Sequence, residues 1–520
     1  MAKLLTKHAE DQGDAPALID EFGETSWRQI NDRVNRLVNA LRAAGLERGD
    51  TLSVLSENRR EYFEIIAAAT HCGLRYVPMN WHWVAEELAY VLADSDSRAL
   101  VAGARFAALA RETLTRDDCP ELAVALAAGG EAGGGLGAYE DFIAGAPSSE
   151  PEDQVLGAPM FYTSGTTGRP RGVVSSSFAG ELPVELMTLV GKAIVGALGM
   201  PEGGRTLLEG PAYHSAQWAF SYLPLLAGSS VVMRHRFDAA EMLRLIDEYG
   251  VTNIHLVPTQ FVRLLRLDEK LKAGFDGSSL KVAWHGAAPC PHDVKHAMIE
   301  WWGPKISEYY GSTEGAIIST VSSEEWLARP GSLGKPMANV EIRIIKEDGS
   351  VAGPGEEGQL YFRNQLGTDF EYHKDPEKTR NAHLEPGVFT VGDVGYLDSD
   401  GFLFMSDRKI DMIISGGVNI YPAEIEGVLA GHAAVADAAV FGIPNEEFGE
   451  EVKAAVELAP GHAPSADLAE ELIEHCRGRL AGYKAPGSID FEEKLPRHPT
   501  GKLFKRLLRD PYWEGRKRRI

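Results

Sequence analysis

Helix-type and strand-type patterns alternate along the first hundred residues. Ser26 and Gln29 have capping-box spacing and open a helix. One face of that helix carries the apolar residues Ile30, Val34, Leu37, Val38 and Leu41. TLSVLSEN then predicts a buried strand, EYFEIIAAATHCG a second helix and RYVPMN a second strand. Strands that alternate with helices indicate an α/β fold, with a parallel sheet covered on both faces.

The pattern changes in the second half of the chain. Between Gly331 and Arg363, two alternating strands flank Asp348, which predicts an antiparallel, β-barrel-like subdomain. Helices and strands resume after FLFMSDRKID in a shorter unit. We therefore expect a large N-terminal domain of residues 1–407 and a small α+β C-terminal domain of residues 408–520. The Gly/Ala run at 126–138 predicts a linker or a loose surface loop.

Composition excludes several classes of partner. The 520 residues include 52 Lys and Arg against 75 Asp and Glu, a net charge of −23, which argues against nucleic acid. The four cysteines are widely spaced and predict neither a disulfide frame nor a zinc site. The N-terminus lacks a signal-type apolar run, and no apolar run reaches the length of about 18 residues that spans a membrane. We expect a cytoplasmic protein without stable membrane insertion.

Short motifs exclude further classes. GPGEEG, at 353–358, matches a dinucleotide fingerprint but lies in a turn and precedes a strand instead of opening a helix. The sequence contains no Walker phosphate loop, no H-E-x-x-H and no G-x-S-x-G. A nicotinamide dehydrogenase, a P-loop NTPase, a zincin and an α/β-hydrolase all lose support.

The stretch YTSGTTGRPRG, residues 162–172, is rich in small hydroxyl residues and glycine. Its hydroxyls and backbone N–H groups, followed by Arg169 and Arg171, are the donors and cations that a polyphosphate needs. Taken alone, the stretch is equally compatible with a flexible polar hairpin.

Three more segments follow in order: YYGSTEG, the stretch from Phe389 to Glu426, and LPRHPTGKLFKRLLR. With YTSGTTGRPRG they resemble the adenylate-forming superfamily of acyl-CoA synthetases, luciferases and peptide-synthetase adenylation domains. The resemblance covers almost the whole chain. It implies that a carboxylate reacts with ATP to give an acyl adenylate and pyrophosphate, and that the acyl group then passes to a thiol.

The resemblance also implies roles for individual residues at the phosphates. The segment that would close over the β- and γ-phosphates contains Thr163, Ser164, Gly165, Thr166, Thr167 and Gly168. Arg171 stands where the family usually has lysine, and the forked guanidinium also binds phosphate. Glu314 would hold Mg²⁺, and Thr313 would contact the α-phosphate.

For the nucleoside, the resemblance implies an adenine wall made of Gly286, Ala287, Ala288 and Pro289. Tyr310, followed by Gly311, would stack on adenine, while Asp393 and Arg408 would bind the ribose. Lys502 resembles the adenylation lysine, whereas Lys505 reads as an exposed lysine.

In the second half-reaction the small domain of the family rotates, and Gly416 and Gly417 would let the backbone approach the pantetheine arm of coenzyme A. The family usually has a charged hinge residue where this chain has Ile410. A β-branched residue is stiffer, so slower domain rotation is a hypothesis.

The segment from Pro211 to Met233 is expected to line the acyl pocket. His214 would lie near the carboxylate, as an alternative to an ordinary core histidine. The aromatic wall would contain Trp218, Phe220 and Tyr222. Amino-acid-activating members of the family generally place an Asp in this region to pair with the substrate's ammonium group. HSAQWAFS contains none, so the resemblance implies a fatty acid or a ring-bearing acid of steroid type instead of an α-amino acid.

Coenzyme A is the expected acceptor. A carrier-protein thiol, oxidation of the adenylate as in luciferases, and a non-catalytic acyl- or nucleotide-binding relative are the alternatives. The resemblance is also compatible with a homodimer.

Overall fold

The computed structural model describes residues 4–163, 170–178, 180–288, 290–346, 348–408, 411–415, 418–420, 422–445, 448–480, 482–497 and 503–514. Within these ranges the helices are α1 Thr6–Gln12, α2 Trp27–Ala43, α3 Arg60–Cys72, α4 Ala85–Asp94, α5 Ala107–Leu114, α6 Tyr139–Ala144, α7 Glu185–Ala197, α8 Ser215–Ala219, α9 Tyr222–Leu226, α10 Ala239–Tyr249, α11 Pro258–Leu265, α12 Glu269–Gly274, α13 His292–Trp302, α14 Ser323–Ala328, α15 Pro376–Ala382, α16 Pro422–Ala430, α17 Ala466–Arg477 and α18 Lys505–Arg509.

The strands in the same ranges are β1 Pro16–Asp20, β2 Gly23–Ser26, β3 Thr51–Leu55, β4 Arg75–Pro78, β5 Ser97–Gly103, β6 Val124–Ala128, β7 Gly137–Ala138, β8 Ala158–Pro159, β9 Phe161–Thr163, β10 Arg171–Ser175, β11 Arg205–Leu208, β12 Ser230–Met233, β13 Asn253–Leu256, β14 Val282–His285, β15 Ile306–Ser312, β16 Ala316–Val321, β17 Lys335–Pro336, β18 Val340–Ile345, β19 Gly358–Asn364, β20 Phe370–Tyr372, β21 His383–Glu385, β22 Val388–Phe389, β23 Asp393–Leu397, β24 Leu403–Arg408, β25 Ile413–Ser415, β26 Val418–Ile420, β27 Val435–Asn445, β28 Gly449–Leu458 and β29 Ser488–Glu492.

Two large sheets form the centre of the N-terminal part. One is a parallel sheet in the order β7-β6-β5-β3-β4-β8. The other has the order β17-β16-β15-β14-β13-β11-β12-β1-β2, parallel from β15 to β1 and antiparallel at both edges. The largest apolar cluster joins the two sheets through residues such as Val54, Phe63, Leu225 and Val231. The predicted α/β class is confirmed.

The local predictions near the N-terminus hold in detail. The Ser26 hydroxyl accepts a hydrogen bond from the Gln29 N–H, and the Gln29 side chain accepts one from the Ser26 N–H, so the capping box is formed. Helix α2 then buries the apolar face that the sequence indicates.

The prediction of a linker or loose surface loop at 126–138 is wrong at both ends. Leu126 is buried in β6, and Gly137 pairs with it from β7, so only the residues between the strands form a loop.

Antiparallel strands follow the parallel sheets. Strands β9, β10 and β20 form one small sheet. A second sheet has the order β21-β22-β19-β23-β24, and β18 pairs antiparallel with β19 across the predicted turn at Asp348. This pairing confirms the expected antiparallel subdomain.

The C-terminal part contains its own mixed sheet, β26-β25-β28-β27 with β29 on β28. Its apolar cluster includes Ile425, Val440, Val452 and Leu472 and is separate from the clusters of the large sheets. A large N-terminal domain and a small α+β C-terminal domain are therefore confirmed, while the exact boundary at 407/408 stays a prediction.

Candidate active site

The predicted phosphate-binding stretch lies between two paired strands. Thr163 ends β9, Arg171 begins β10, and the two residues are direct antiparallel partners. The Arg171 Nε lies 3.3 Å from Asp375 Oδ2. The structure therefore places both flanks of the stretch. The predicted residues between them, Ser164, Gly165, Thr166, Thr167 and Gly168, lie outside the described residues.

The hairpin β15–β16 carries the second group of predicted residues. Gly311 pairs with Ile317 and Ser312 pairs with Ala316, so Thr313 and Glu314 lie in the turn of the hairpin. The Thr313 hydroxyl is 2.9 Å from the Ser215 hydroxyl at the start of α8. Glu314 Oε1 accepts a hydrogen bond of 2.9 Å from the Tyr372 hydroxyl.

Strand β20 connects these two groups. It pairs with β10, with Tyr372 opposite Val173, and the Tyr372 hydroxyl reaches Glu314. The Lys378 Nζ lies 4.1 Å from the centre of the Tyr372 ring. Burial, and then the neighbouring Arg171, lowers the pKa of Lys378. Arg171, Glu314 and Lys378 thus share one charged region.

Tyr372, Asp375 and Lys378 are functional candidates that the sequence did not predict. Burial, and then the Glu314 carboxylate, raises the pKa of Tyr372, so its hydroxyl stays protonated and donates to Glu314. The available signal was the segment EYHKDPEKT itself, which contains an aromatic residue and several charges in a loop. Nothing in its local pattern connects it with Glu314.

The predicted nucleoside residues also come together. The Tyr310 hydroxyl donates to Asp393 Oδ2 at 2.5 Å, and Asp393 is 3 % exposed. On the neighbouring strand Arg408 is the register partner of Asp393, although its side chain lies outside the described residues.

The predicted adenine wall follows strand β14. A Cβ added to Gly286 would lie 2.6 Å from the Tyr309 ring, so glycine permits the close contact between this segment and β15. Ala287 has φ +68°, a left-handed conformation that is uncommon for a residue other than glycine. Ala288 is described beside it, whereas Pro289 lies outside the described residues.

The predicted acyl segment contributes to two environments. His214 lies at the N-cap of α8, directly before the Ser215 that contacts Thr313. Trp218 and Tyr222 pack in the main apolar core, where the Tyr222 hydroxyl donates to Thr70. They are core residues here and form no open wall. Phe220 instead packs against a different aromatic group.

That aromatic group lies behind Gly286. The Phe220 ring centre is 4.6 Å from that of His255 and 5.2 Å from that of Tyr309. Gln217 Nε2 contacts His255 Nδ1 at 2.9 Å, and His255 Nε2 contacts the Tyr309 hydroxyl at 3.1 Å. Burial lowers the pKa of His255 to about 3, so the imidazole is neutral. Phe220 and Tyr309 are buried, so this group is an apolar core cluster that packs behind the predicted adenine segment.

The predicted residues of the small domain are only partly placed. Lys502, Gly416, Gly417 and Ile410 lie outside the described residues. Lys505 forms an ion pair of 3.0 Å with Glu426. The Lys505 side chain is 11% exposed and Lys505 begins α18, so the prediction of an exposed lysine is wrong.

Two further observations concern ligands. The described residues contain no group of three His, Cys, Asp or Glu side chains that could hold a metal ion. A cavity of about 690 Å³ lies elsewhere, lined by residues that include Arg33, Glu57 and Arg59, and contains none of the predicted ATP residues. This cavity therefore lies apart from the predicted ATP site. None of the helices in the described ranges has the length and apolar character needed to cross a membrane.

Comparison with known proteins identifies the class. The family model "AMP-binding enzyme" matches residues 5–368, and the model "AMP-binding enzyme C-terminal domain" matches residues 424–502. The protein is an AMP-forming acid–thiol ligase. It belongs to the AMP-binding enzyme family.

Similar proteins include acyl ligases with different acids. The chain is 31% identical to the fatty acid–[acyl-carrier-protein] ligase ScoC of Streptomyces coeruleorubidus, over 99% of this chain and 96% of that protein. It is 33% identical to a feruloyl-CoA synthase of Amycolatopsis sp, over 93% of each. The o-succinylbenzoate CoA synthetase (MenE) of Bacillus subtilis, solved with its acyl-adenylate intermediate, aligns with a TM-score of 0.81 at 28% identity, over 98% of both chains.

Proposed function

We propose that the protein activates a hydrophobic carboxylic acid with Mg²⁺ and ATP and then transfers the acyl group to coenzyme A. The observation that carries the proposal is the contact network around the β15–β16 hairpin. Its turn holds Thr313 and Glu314, and Tyr310 in β15 binds Asp393. The hairpin thus carries the residues proposed for phosphate, metal and adenine, which are Thr313, Glu314 and Tyr310. Asp393, proposed for the ribose, is bonded to Tyr310.

In the first half-reaction a carboxylate oxygen of the acid forms a bond to the α-phosphorus of ATP, and the bond to pyrophosphate breaks. Both reactants are anionic, so cations and hydrogen-bond donors at the phosphates lower the barrier. Arg171 supplies positive charge, and the hydroxyl of Thr313 donates at the α-phosphate. Lys502 is proposed to reach the same centre from the small domain.

Glu314 is proposed to hold Mg²⁺. Magnesium takes one or two carboxylates and completes its octahedral shell with phosphate oxygens and waters. A single carboxylate with one oxygen fixed by Tyr372 fits this requirement. When bound, the ion neutralises phosphate charge and aligns the leaving group.

In the second half-reaction the thiolate of coenzyme A attacks the acyl carbonyl carbon, and AMP leaves. Gly416 and Gly417 are proposed to line the path of the pantetheine arm. Transfer to a carrier-protein thiol is the second candidate, because ScoC, a fatty acid–[acyl-carrier-protein] ligase, is similar over nearly the whole chain.

The acid is proposed to be a fatty acid or a ring-bearing acid. Phe220, Trp284 and Tyr309 form a buried apolar cluster, its Tyr309 ring lies close to Gly286, and the neutral His255 adds no charge there. An apolar acyl group that contacts such a surface is removed from water, which is favourable by about 25 cal/mol per Å² of apolar area buried. The similarity to a feruloyl-CoA synthase supports the ring-bearing class.

The test is ATP–pyrophosphate exchange followed by mass spectrometry of the products. The purified protein is incubated with ATP, Mg²⁺ and a panel of fatty, aromatic and steroid acids, with coenzyme A or a carrier protein that bears a free pantetheine thiol. We expect AMP and one class of acyl-CoA. Thioesters on the carrier protein alone would favour the second candidate, and no exchange with any acid would contradict the proposal.

A matched pair of variants tests the role of Lys502. Lys502→Ala should lower the exchange rate on the order of 10²–10³-fold, because it removes a preorganised cation at the reacting phosphate. Lys505→Ala should leave the rate near that of the wild type, since Lys505 pairs with Glu426. Equal effects of the two substitutions would contradict the assignment.

A further inference from the structure

Tyr372 lies between an ammonium group and a carboxylate. Its side chain is buried, and its hydroxyl donates to Glu314 Oε1 at 2.9 Å. The face of its ring carries Lys378, whose Nζ is 4.1 Å from the ring centre. One aromatic side chain therefore contacts the proposed metal-binding carboxylate and a cation.

Backbone hydrogen bonds position Tyr372 and Lys378. Strand β20 is hydrogen-bonded to β10, which places Tyr372 opposite Val173. The Tyr372 N–H donates to the Thr379 hydroxyl at 2.9 Å, and the Lys378 N–H donates to Asp375 Oδ1 at 3.1 Å. The first of these bonds connects α15 to the end of β20, and the second caps the N-terminus of α15. Lys378 and Tyr372 are thus positioned by the same short segment.

Asp375 links this segment to the phosphate-binding strand as well. It is the N-cap of α15, and its Oδ2 lies 3.3 Å from the Arg171 Nε. The segment therefore contacts both the proposed phosphate-binding arginine and the proposed magnesium ligand.

We propose that Tyr372 is a positioning residue for Glu314, and that Lys378 holds the Tyr372 ring in place. The hydroxyl fixes one carboxylate oxygen, so the other is presented to the metal in one orientation. Partners of this kind typically contribute about 10–100-fold to metal affinity. The inference rests on the proposed function, in which Glu314 binds the Mg²⁺ of ATP.

Tyr372→Phe removes only the hydroxyl and keeps the ring that Lys378 contacts. The Mg²⁺ concentration for half-maximal pyrophosphate exchange should rise about 10-fold, and excess Mg²⁺ should restore most of the maximal rate. Lys378→Met should shift the same midpoint by about threefold, the size of an exposed cation–π contact.

Two substitutions serve as matched controls. Tyr361→Phe removes a hydroxyl from β19. Lys374→Met removes the partner of Asp96, in an ion pair of 2.8 Å at the surface. Both should leave the Mg²⁺ midpoint at the value of the wild type.

A binding measurement makes the test independent of catalysis. Electron paramagnetic resonance measures the affinity of Mn²⁺ for the protein with α,β-methylene-ATP and no acid. Tyr372→Phe should weaken Mn²⁺ binding about 10-fold, with an unchanged thermal midpoint. If this variant does not fold, Lys378→Met carries the same comparison.

The outcomes separate the inference from the proposed function. Unchanged Mn²⁺ affinity and Mg²⁺ midpoint in folded Tyr372→Phe would overturn the inference, and so would a lower thermal midpoint as the only change. A wild-type protein that binds Mn²⁺ with the nucleotide but activates no acid would contradict the proposed function alone.

Discussion

Gly311 stands where strands β15 and β16 approach too closely for any side chain. A Cβ added there would lie 2.1 Å from the carbonyl oxygen of Ala316 and 3.2 Å from the Cα of Ile317. Both neighbours are backbone atoms, so no rotation of a side chain can relieve the contact. We therefore expect Gly311→Ala to separate the two strands next to Thr313 and Glu314.

The cost follows from that distance. Real Cβ atoms essentially never come within 3.0 Å of a heavy atom outside their own and the adjacent residues. The strands must therefore move apart by at least 0.9 Å. This movement weakens about two backbone hydrogen bonds, at about 0.5–1.5 kcal/mol each. With about 1–3 kcal/mol more for overpacking, the free energy of unfolding should fall by about 2–6 kcal/mol. A displacement of about 1 Å at reacting groups can cost about 10²-fold in rate.

Gly315→Ala is the matched control in the same turn. Its added Cβ would meet the Phe389 ring at 3.2 Å and the Ile318 Cδ1 at 3.3 Å, and both are side-chain atoms that can shift. We expect a loss of about 1 kcal/mol or less. Urea unfolding and pyrophosphate exchange measure both variants. If Gly311→Ala unfolds at the same urea concentration as the control and exchanges pyrophosphate at the wild-type rate, the reasoning is refuted.

Two further predictions concern buried ionisable side chains. The Lys295 Nζ lies 2.6 Å from Glu308 Oε2, and the lysine is fully buried. Lys295→Met should therefore destabilise the protein by about 3–5 kcal/mol, whereas Lys295→Met with Glu308→Leu should recover most of that loss in urea unfolding. Equal losses in the two variants would contradict this coupling. Burial raises the pKa of Glu209 from 4.5 to about 9, so the folded state keeps a proton that the unfolded state releases. Stability should fall between these pH values by up to about 1.4 kcal/mol per unit, and Glu209→Gln should flatten the fall. The prediction would be contradicted if the thermal midpoint changed equally in the wild type and in Glu209→Gln between pH 5 and 8.5.

The elements of the fold could be predicted wherever local chemistry decides them. The Ser26 capping box and the β18–β19 pair across Asp348 depend on residues close in sequence. The family could also be identified from the long motifs, because the residues of each motif are continuous in the chain. The Gly/Ala run at 126–138 was predicted as a linker or loop because its small residues show no polar–apolar alternation, although its two ends belong to β6 and β7. Burial of Leu126 in β6 depends on the strands and helices around it.

The contacts within the site could not be predicted from the sequence. Tyr310 bonds to Asp393, 83 residues away, and Tyr372 bonds to Glu314, 58 residues away. Family resemblance assigned roles to three of these four residues, but Tyr372 carries no motif that suggests its partner.

The sequence by itself determined the local elements, the family and the reaction class. The tertiary structure decided which of the candidate site residues contact one another. Hydrogen bonds between β10 and β20 bring Tyr372 toward Glu314, and Arg171 meets Asp375 across more than 200 residues of sequence. The physical reason is that capping and alternation act over a few residues, whereas strand pairing sets the distances between residues far apart in the chain.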